Sequence, residues 1–419
     1  MREMKDSGIE WIGQVPSDWM VRPIRADFIE VTEKNKFGRV KKALKFTYGR
    51  IIPKDNFDAD EDSYVADTIL NYTIVHPNTI MLNCLNLNFD FVSQRIGLVT
   101  ETGAITSAYM AFKASNASIL PEYATYLFKS YDNCKAFHNM GGGVRKILNF
   151  EEFKKKYYLL PSTAEQTAIS SFLDKKCAEL ETLISDIQSQ IEAIEEYKRS
   201  VITEAVTKGL NPDAEMRDSG VQWIGMMPTH WDCQRGKYIL RYLQKPVRDD
   251  DGVITCFRDG EVTLRSNRRE DGFTMADKEI GYQGIDVGDL VVHGMDGFAG
   301  AIGISDSRGK ASPVLNVLDT EQNKKYIMYY LRSMAYNDVF LALATGIRVR
   351  SCDLRWNKLA ELLYPLPPVE EQQAIVEHID SVLERTNAII AEKKQQIETI
   401  EEYKKSLIFE YVTGKKEVV

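Results

Sequence analysis

The chain has 419 residues, 44% hydrophobic and 27% charged, with a net charge of −8 and a pI near 5.4. That length exceeds one ordinary core and predicts two to four domains, while the acidic balance runs against a strongly basic nucleic-acid binder. No apolar run approaches the roughly eighteen residues of a membrane span, and the opening MREMKDSG lacks the apolar stretch of a signal peptide, so no membrane segment and a cytoplasmic location are expected.

The first element, residues 1–19, contains SGIEWIGQVPSDW from Ser7 to Trp19, and the chain repeats it as SGVQWIGMMPTHW from Ser219 to Trp231, a shift of 212. Four of the five tryptophans, Trp11, Trp19, Trp223 and Trp231, fall in these copies. Large rings with one polar edge fit either anchoring of the segment to a shared frame or contact with a partner subunit.

Residues 20–158 form the first variable region. YTIVHPNTIMLN, Tyr72 to Asn83, predicts a strand, a turn at Pro77 and a second strand; PEYATYLFKSY, Pro121 to Tyr131, predicts a helix with core aromatics. Lys41, Lys42, Lys45 and Arg50 gather where strands and turns are expected, and Arg145 and Lys146 follow three glycines. The acidic run Asp58 to Asp62 lacks the spaced Gly and terminal Glu of a calcium loop and reads as a solvated turn.

Residues 159–210 predict one long helix. Leu173, Leu180, Ile187, Ile194 and Val201 recur every seven positions with Cys177, Ile184 and Ile191 between them, a coiled-coil seam. Glu195 with Arg199 and Glu204 with Lys208 are expected four-residue ion pairs. Ser162 with Glu165 forms a capping box, and Gly209 before Asn211-Pro212 stops the helix. Some 45 residues give a rod of roughly 65–70 Å. The second copy of the short segment, 211–231, leads into a second variable region, 232–364. There YQGIDVGDLVVH, Tyr282 to His293, predicts two strands and KKYIMYYLRSM, Lys324 to Met334, a helix. Arg265, Arg268 and Arg269 lie in LRSNRRE, and Arg348 and Arg350 in GIRVRS. Arg145 and Arg348 each follow a glycine two positions before them, a place suited either to a base-reading arginine or to ordinary solvated charge. Residues 365–419 repeat the helix at an offset of 206, with Ile379, Leu383, Ile390, Ile397, Ile400 and Leu407 on its seam but Thr386 and Lys393 there too. One apolar stripe cannot stand alone in water, so an antiparallel pairing of the two rods is expected.

The fold class that follows is α+β: two small mixed regions separated by two long helices in an antiparallel coiled coil, with pseudo-twofold symmetry. Six scattered cysteines without a CxxC, and five scattered histidines, predict no metal site or disulfide framework. Neither a GxxxxGK[ST] phosphate cradle nor an Asn/Asp-Pro-Pro-aromatic loop occurs, so no catalytic residues are expected. Residues 164–210 hold 9 acids and 5 bases and residues 370–419 hold 11 and 7, which leaves the rest of the chain neutral. Modest phosphate attraction follows.

The paired LPxxxEQ openings (Leu160 to Gln166, Leu366 to Gln372), the two IEEYK stretches and the paired SGxxWIGxxPxxW segments make the whole chain resemble the specificity subunit of type I restriction-modification systems. The resemblance implies two target-recognition domains, 20–158 and 232–364, each reading half of a bipartite double-stranded DNA site across a gap set by the helices. It implies two methyltransferase subunits as partners, with restriction/translocase subunits in the full complex, and S-adenosylmethionine, ATP and magnesium on those partners, with no cofactor in this chain. The alternative from another class is a coiled-coil scaffold whose globular ends bind proteins.

Overall fold

The structure, a computed structural model, describes residues 2–54, 68–85, 87, 94–140, 147–268, 280–343 and 354–418. It divides into two compact units, Met1–Ile187 with Gln395–Val419, and Gln188–Lys394.

In the first unit, β1 (Met4–Asp6) and β2 (Gln14–Pro16) form a ribbon, and β3 (Met20–Pro23) pairs with β12 (Tyr157–Leu160). Between them lie β4 (Phe28–Glu30), the hairpin β5 (Leu44–Thr47) and β6 (Arg50–Pro53), β7 (Thr73–Val75), β8 (Ile80–Leu82), β9 (Ile96–Leu98), β10 (Gly103–Ile105) and β11 (Met110–Ala114). An antiparallel sheet runs β4-β11-β8-β9, while β7 pairs with β10. The predicted Tyr72–Asn83 strands are therefore β7 and β8, but they join different sheets. Alternation along the central strands buries both faces. Ile80, Leu82 and Phe112 enter one core with helix α1 (Pro121–Asn133), whereas Met81 and Ala111 enter another with Leu44, Ile51, Val75 and Ile105. Pro121 at the first helical position and Glu122 in the first turn start α1.

The second unit has β13 (Met216–Asp218) with β14 (Met226–Pro228), and β15 (Asp232–Arg235) with β24 (Leu363–Leu366). Its sheet runs β16 (Leu240–Leu243), β23 (Leu315–Thr320), β20 (Leu290–His293), β21 (Ile302–Ile304). Beside it stand the pairs β17 (Ile254–Cys256) with β18 (Val262–Leu264), and β19 (Gln283–Ile285) with β22 (Gly309–Ala311). Helix α3 (Lys324–Tyr336) follows β23 as α1 follows β11. The two variable regions thus share one topology strand for strand. Leu290 and Val292 face the core with α3, and Val291 and Val317 face the other.

Helices α2 (Thr163–Lys208) and α4 (Val369–Val412) contribute to both units. In the first unit, Phe172 meets Tyr411 with ring centroids 4.5 Å apart, and Lys404 Nζ donates to Glu181 Oε1 at 2.6 Å. In the second, Lys393 Nζ donates to Gln190 Oε1 at 2.5 Å and Lys198 Nζ to Asn387 Oδ1 at 2.7 Å. One partner's number falls as the other's rises, so the helices run antiparallel in each unit. On the seam Leu173, Ile187, Ile379, Ile390 and Leu407 are buried, while Leu180, Ile184, Ile191, Ile194, Val201, Leu383, Ile397 and Ile400 are half-buried, as befits only two helices. The polar seam residues are satisfied: Thr386 donates to the Val382 carbonyl at 2.7 Å, and Lys393 reaches Gln190. Glu204 and Lys208 pair at 3.9 Å, but Glu195 pairs with Lys198 at 3.0 Å because the Arg199 guanidinium lies over the Tyr336 ring.

Candidate nucleic-acid interface and the frame that holds it

The two units use equivalent residues to fix each globular region on the helices. Ser162 and Glu165 form the expected capping box, with Ser162 Oγ donating to Glu165 Oε2 at 2.9 Å and Glu165 N donating back to Ser162 Oγ at 3.3 Å. Glu165 also accepts from Trp19 Nε1 at 3.2 Å and pairs with Arg2 at 2.6 Å. Burial alone would raise its carboxyl, but the hydrogen bonds from Arg2, Ser162 and Trp19 outweigh burial and hold it below the usual carboxylate range. In the second unit Glu371 accepts from Trp231 Nε1 at 3.1 Å and contacts His230 Nε2 at 2.8 Å. Trp19 and Trp231 are among the most buried large side chains. Trp223 Nε1 donates to the Tyr330 hydroxyl at 3.1 Å, and Trp11 packs edge-on against Tyr131.

The glutamine after each of these glutamates is fully buried. Gln166 Oε1 accepts from Leu120 N, the residue preceding α1, at 2.7 Å, and its Nε2 donates to the carbonyls of Ser118 (2.8 Å) and Pro161 (3.0 Å). Gln372 Oε1 accepts from Asn323 N at 3.0 Å, before α3, and its Nε2 donates to Gln322 Oε1 and the Pro367 carbonyl. A side-chain amide suits this task because it accepts one N–H and donates twice.

Tyrosines complete the attachment. Tyr123 donates to the Val412 carbonyl and Tyr326 to the Val206 carbonyl, both at 3.1 Å, each at the end of a long helix where carbonyls lack helical partners. Tyr126 donates to Asp174 at 2.8 Å and Tyr329 to Asp380 at 2.5 Å. Burial first, then the carboxylate partner, pushes both phenols well above their ordinary value, so they remain donors. The glycines ending the helices stand against the tryptophan segments: a Cβ on Gly209 would meet Trp231 at 3.1 Å, and one on Gly414 would meet the Pro16 ring at 2.4 Å.

Held on this frame, the first region presents Lys41, Lys42, Lys45 and Arg50 on or beside the β5–β6 hairpin. Lys41, Lys42 and Arg50 are exposed and Lys45 is half-buried. Lys42 pairs with Glu101, and Arg50 Nη2 reaches Glu181 of α2 at 3.0 Å. In the second region Arg265 Nε donates to Thr255 Oγ1 at 3.3 Å, and the Arg268 guanidinium sits 4.2 Å over the Phe257 ring between Asp259 (2.8 Å) and Glu261 (3.3 Å). Arg145, Lys146, Arg269, Arg348 and Arg350 lie outside the described residues. Sequence reasoning missed a network that ties loops together: Lys245 Nζ bridges Asp286 (2.8 Å) and Asp289 (2.7 Å), while Arg308 joins Asp251 (2.9 Å) to Asp286 (2.6 Å). Hydrogen bonds from Lys245 and Arg308 hold Asp286 down at about 2. Asp251 and Asp289 are buried while the Asp286 carboxylate is 42% exposed, so the partly buried network orients both cations and offsets their charge.

Residues 288–399 match the model of the type I restriction modification DNA specificity domain. Two proteins of Methanocaldococcus jannaschii are similar along nearly the whole chain. The type I restriction enzyme MjaX specificity subunit is 22% identical over 96% of this chain and 95% of its own, and the MjaVIII specificity subunit is 23% identical over 96% and 94%. Along nearly its whole length this chain is similar to specificity subunits of type I restriction-modification systems. The fold agrees: a solved chain from work on complex assembly and conformational transition of the type I R-M system superposes with a TM-score of 0.68, at 13% identity, over 96% of this chain and 99% of that one. Among the described residues no cluster of three or more His, Cys, Asp or Glu could hold a metal ion, and no helix is long and apolar enough to cross a membrane.

Proposed function

We propose that each recognition domain of this specificity subunit reads one half of a split double-stranded DNA site, that α2 and α4 set the unread gap, and that two methyltransferase subunits dock on the frame. The observation that carries this reading is repetition at an offset of 206. Glu165 and Glu371 hold tryptophans, Gln166 and Gln372 clamp a recognition-domain helix, and Asp174 and Asp380 accept from tyrosines. Two readers mounted identically, with different exposed chemistry, suit a site of two unlike halves. Neutral recognition domains and acidic helices make phosphate attraction weak, so affinity comes from specific contacts and from partner subunits. S-adenosylmethionine, ATP and magnesium belong on those methyltransferase and restriction/translocase subunits, in the cytoplasm.

The test is to insert seven residues into α2 between Ala178 and Glu181 and seven into α4 beside them, near Lys404. About 10 Å is added to each helix, on the order of three base pairs. The reading predicts unchanged half-sites with a longer gap in the methylated motif. Altered half-sites with the original gap would overturn it.

A further inference from the structure

The β5–β6 hairpin closes through a two-residue loop, Tyr48–Gly49, between the paired residues Thr47 and Arg50. Both loop residues have positive φ, 46° at Tyr48 and 74° at Gly49, a combination that favours Asn-Gly over an aromatic residue. Gly49 is required, because a Cβ there would lie 2.8 Å from Gln94 Oε1 and 2.9 Å from Gln94 Cβ. Tyr48 is not required by packing: its side chain is 74% exposed. A tyrosine is therefore kept in a left-handed conformation with its ring in water, at a cost in stability with no packing return. The surrounding stretch, Lys34 to Lys54, carries eight Lys or Arg and no Asp or Glu.

The matching β17–β18 hairpin of the second domain turns through Phe257 to Glu261, again with a glycine at positive φ, Gly260 at 89°. Arg332 donates to the Asp259 carbonyl beneath that turn, as Arg50 braces the first hairpin on Glu181. The most exposed charged group here is the guanidinium of Arg258, whose side chain is 65% exposed and pairs with Asp296 at 2.9 Å, while the exposed Asp259 and Glu261 carboxylates pair with Arg268. One topological position, braced in both domains, thus displays an aromatic ring in one and a guanidinium in the other. Both chemistries suit nucleic acid: a ring can lie against a base, and a guanidinium donates to base edges or phosphates.

We infer that the tip of this hairpin is a DNA contact in each recognition domain, made by the Tyr48 ring in the first and the Arg258 guanidinium in the second. This rests on the split-site reading above. The experiment uses the subunit assembled with its methyltransferase partner and a labelled duplex carrying the site that the wild-type complex methylates. Tyr48→Asn relieves the backbone strain while removing the ring, so the fold should be at least as stable as wild type. Binding should weaken on the order of tenfold to a hundredfold, with relaxed choice in one half-site; Tyr48→Phe should restore it. Arg258→Gln should relax the other half-site. Wild-type affinity and selectivity in either Tyr48→Asn or Arg258→Gln would overturn the inference. A wild-type complex that selects no split site would instead overturn the reading beneath it.

Discussion

Gln166→Leu tests the clamp that seats the first recognition domain. Leucine nearly matches the volume but removes one acceptor and two donated hydrogen bonds, at 2.7, 2.8 and 3.0 Å. Ser118 is exposed, so its carbonyl can turn to water; the Pro161 carbonyl is buried and Leu120 N half-buried, and both are stranded. At roughly 1–3 kcal/mol for each buried group left unpaired, the expected loss is about 2–4 kcal/mol. Urea unfolding followed by tryptophan fluorescence reads that loss, and hydrogen exchange should show faster exchange at Leu120 and the first turn of α1. Gln372→Leu should act alike at Asn323 and α3. A loss below about 1 kcal/mol with unchanged amide protection would refute the reasoning.

Gly414→Ala forces a Cβ to 2.4 Å from the Pro16 ring at a φ of +69°; about 2–4 kcal/mol should be lost and limited proteolysis should cut the N-terminal segment sooner. Asp286, held at about 2 in the folded protein against an ordinary value of 3.8, contributes stability that is present in full above pH 4 and lost as pH falls toward 2. Asp286→Asn should flatten the acid limb of the second unit's unfolding over that window, by an amount that shrinks in high salt because the carboxylate is 42% exposed. Burial pushes the Cys256 thiol up to about 12, so a thiol reagent at pH 8 should label exposed Cys134 in the native protein while Cys256 reacts only after unfolding.

Much of the frame was legible because its signals are long or repeated. Heptads from Leu173 to Val201 specify a helix whatever surrounds it, and the doubled tryptophan segments show that one short segment is used twice. The recognition domains were harder to read. Strands of three to six residues carry too little periodicity to reveal that β4-β11-β8-β9 and β16-β23-β20-β21 are one sheet written twice. Gln166 and Gln372 were visible only as letters of a motif, since their partners are backbone groups brought near by folding. Tyr126 and Tyr329 show helical spacing, which predicts burial but not the aspartate that each hydroxyl meets. The same limit applies to the basic residues: Lys42 and Arg50 stand far along the chain from Glu101 and Glu181, so sequence shows the cation without the carboxylate that fixes it.

Mapping methylated bases across the genome, with and without this gene, asks most directly whether the chain selects DNA as two half-sites held apart. One split motif, two specific halves around a gap of fixed length, should be methylated when the gene is present and lose its methylation when the gene is deleted. An undivided motif, or a methylation pattern that deletion leaves intact, would contradict it.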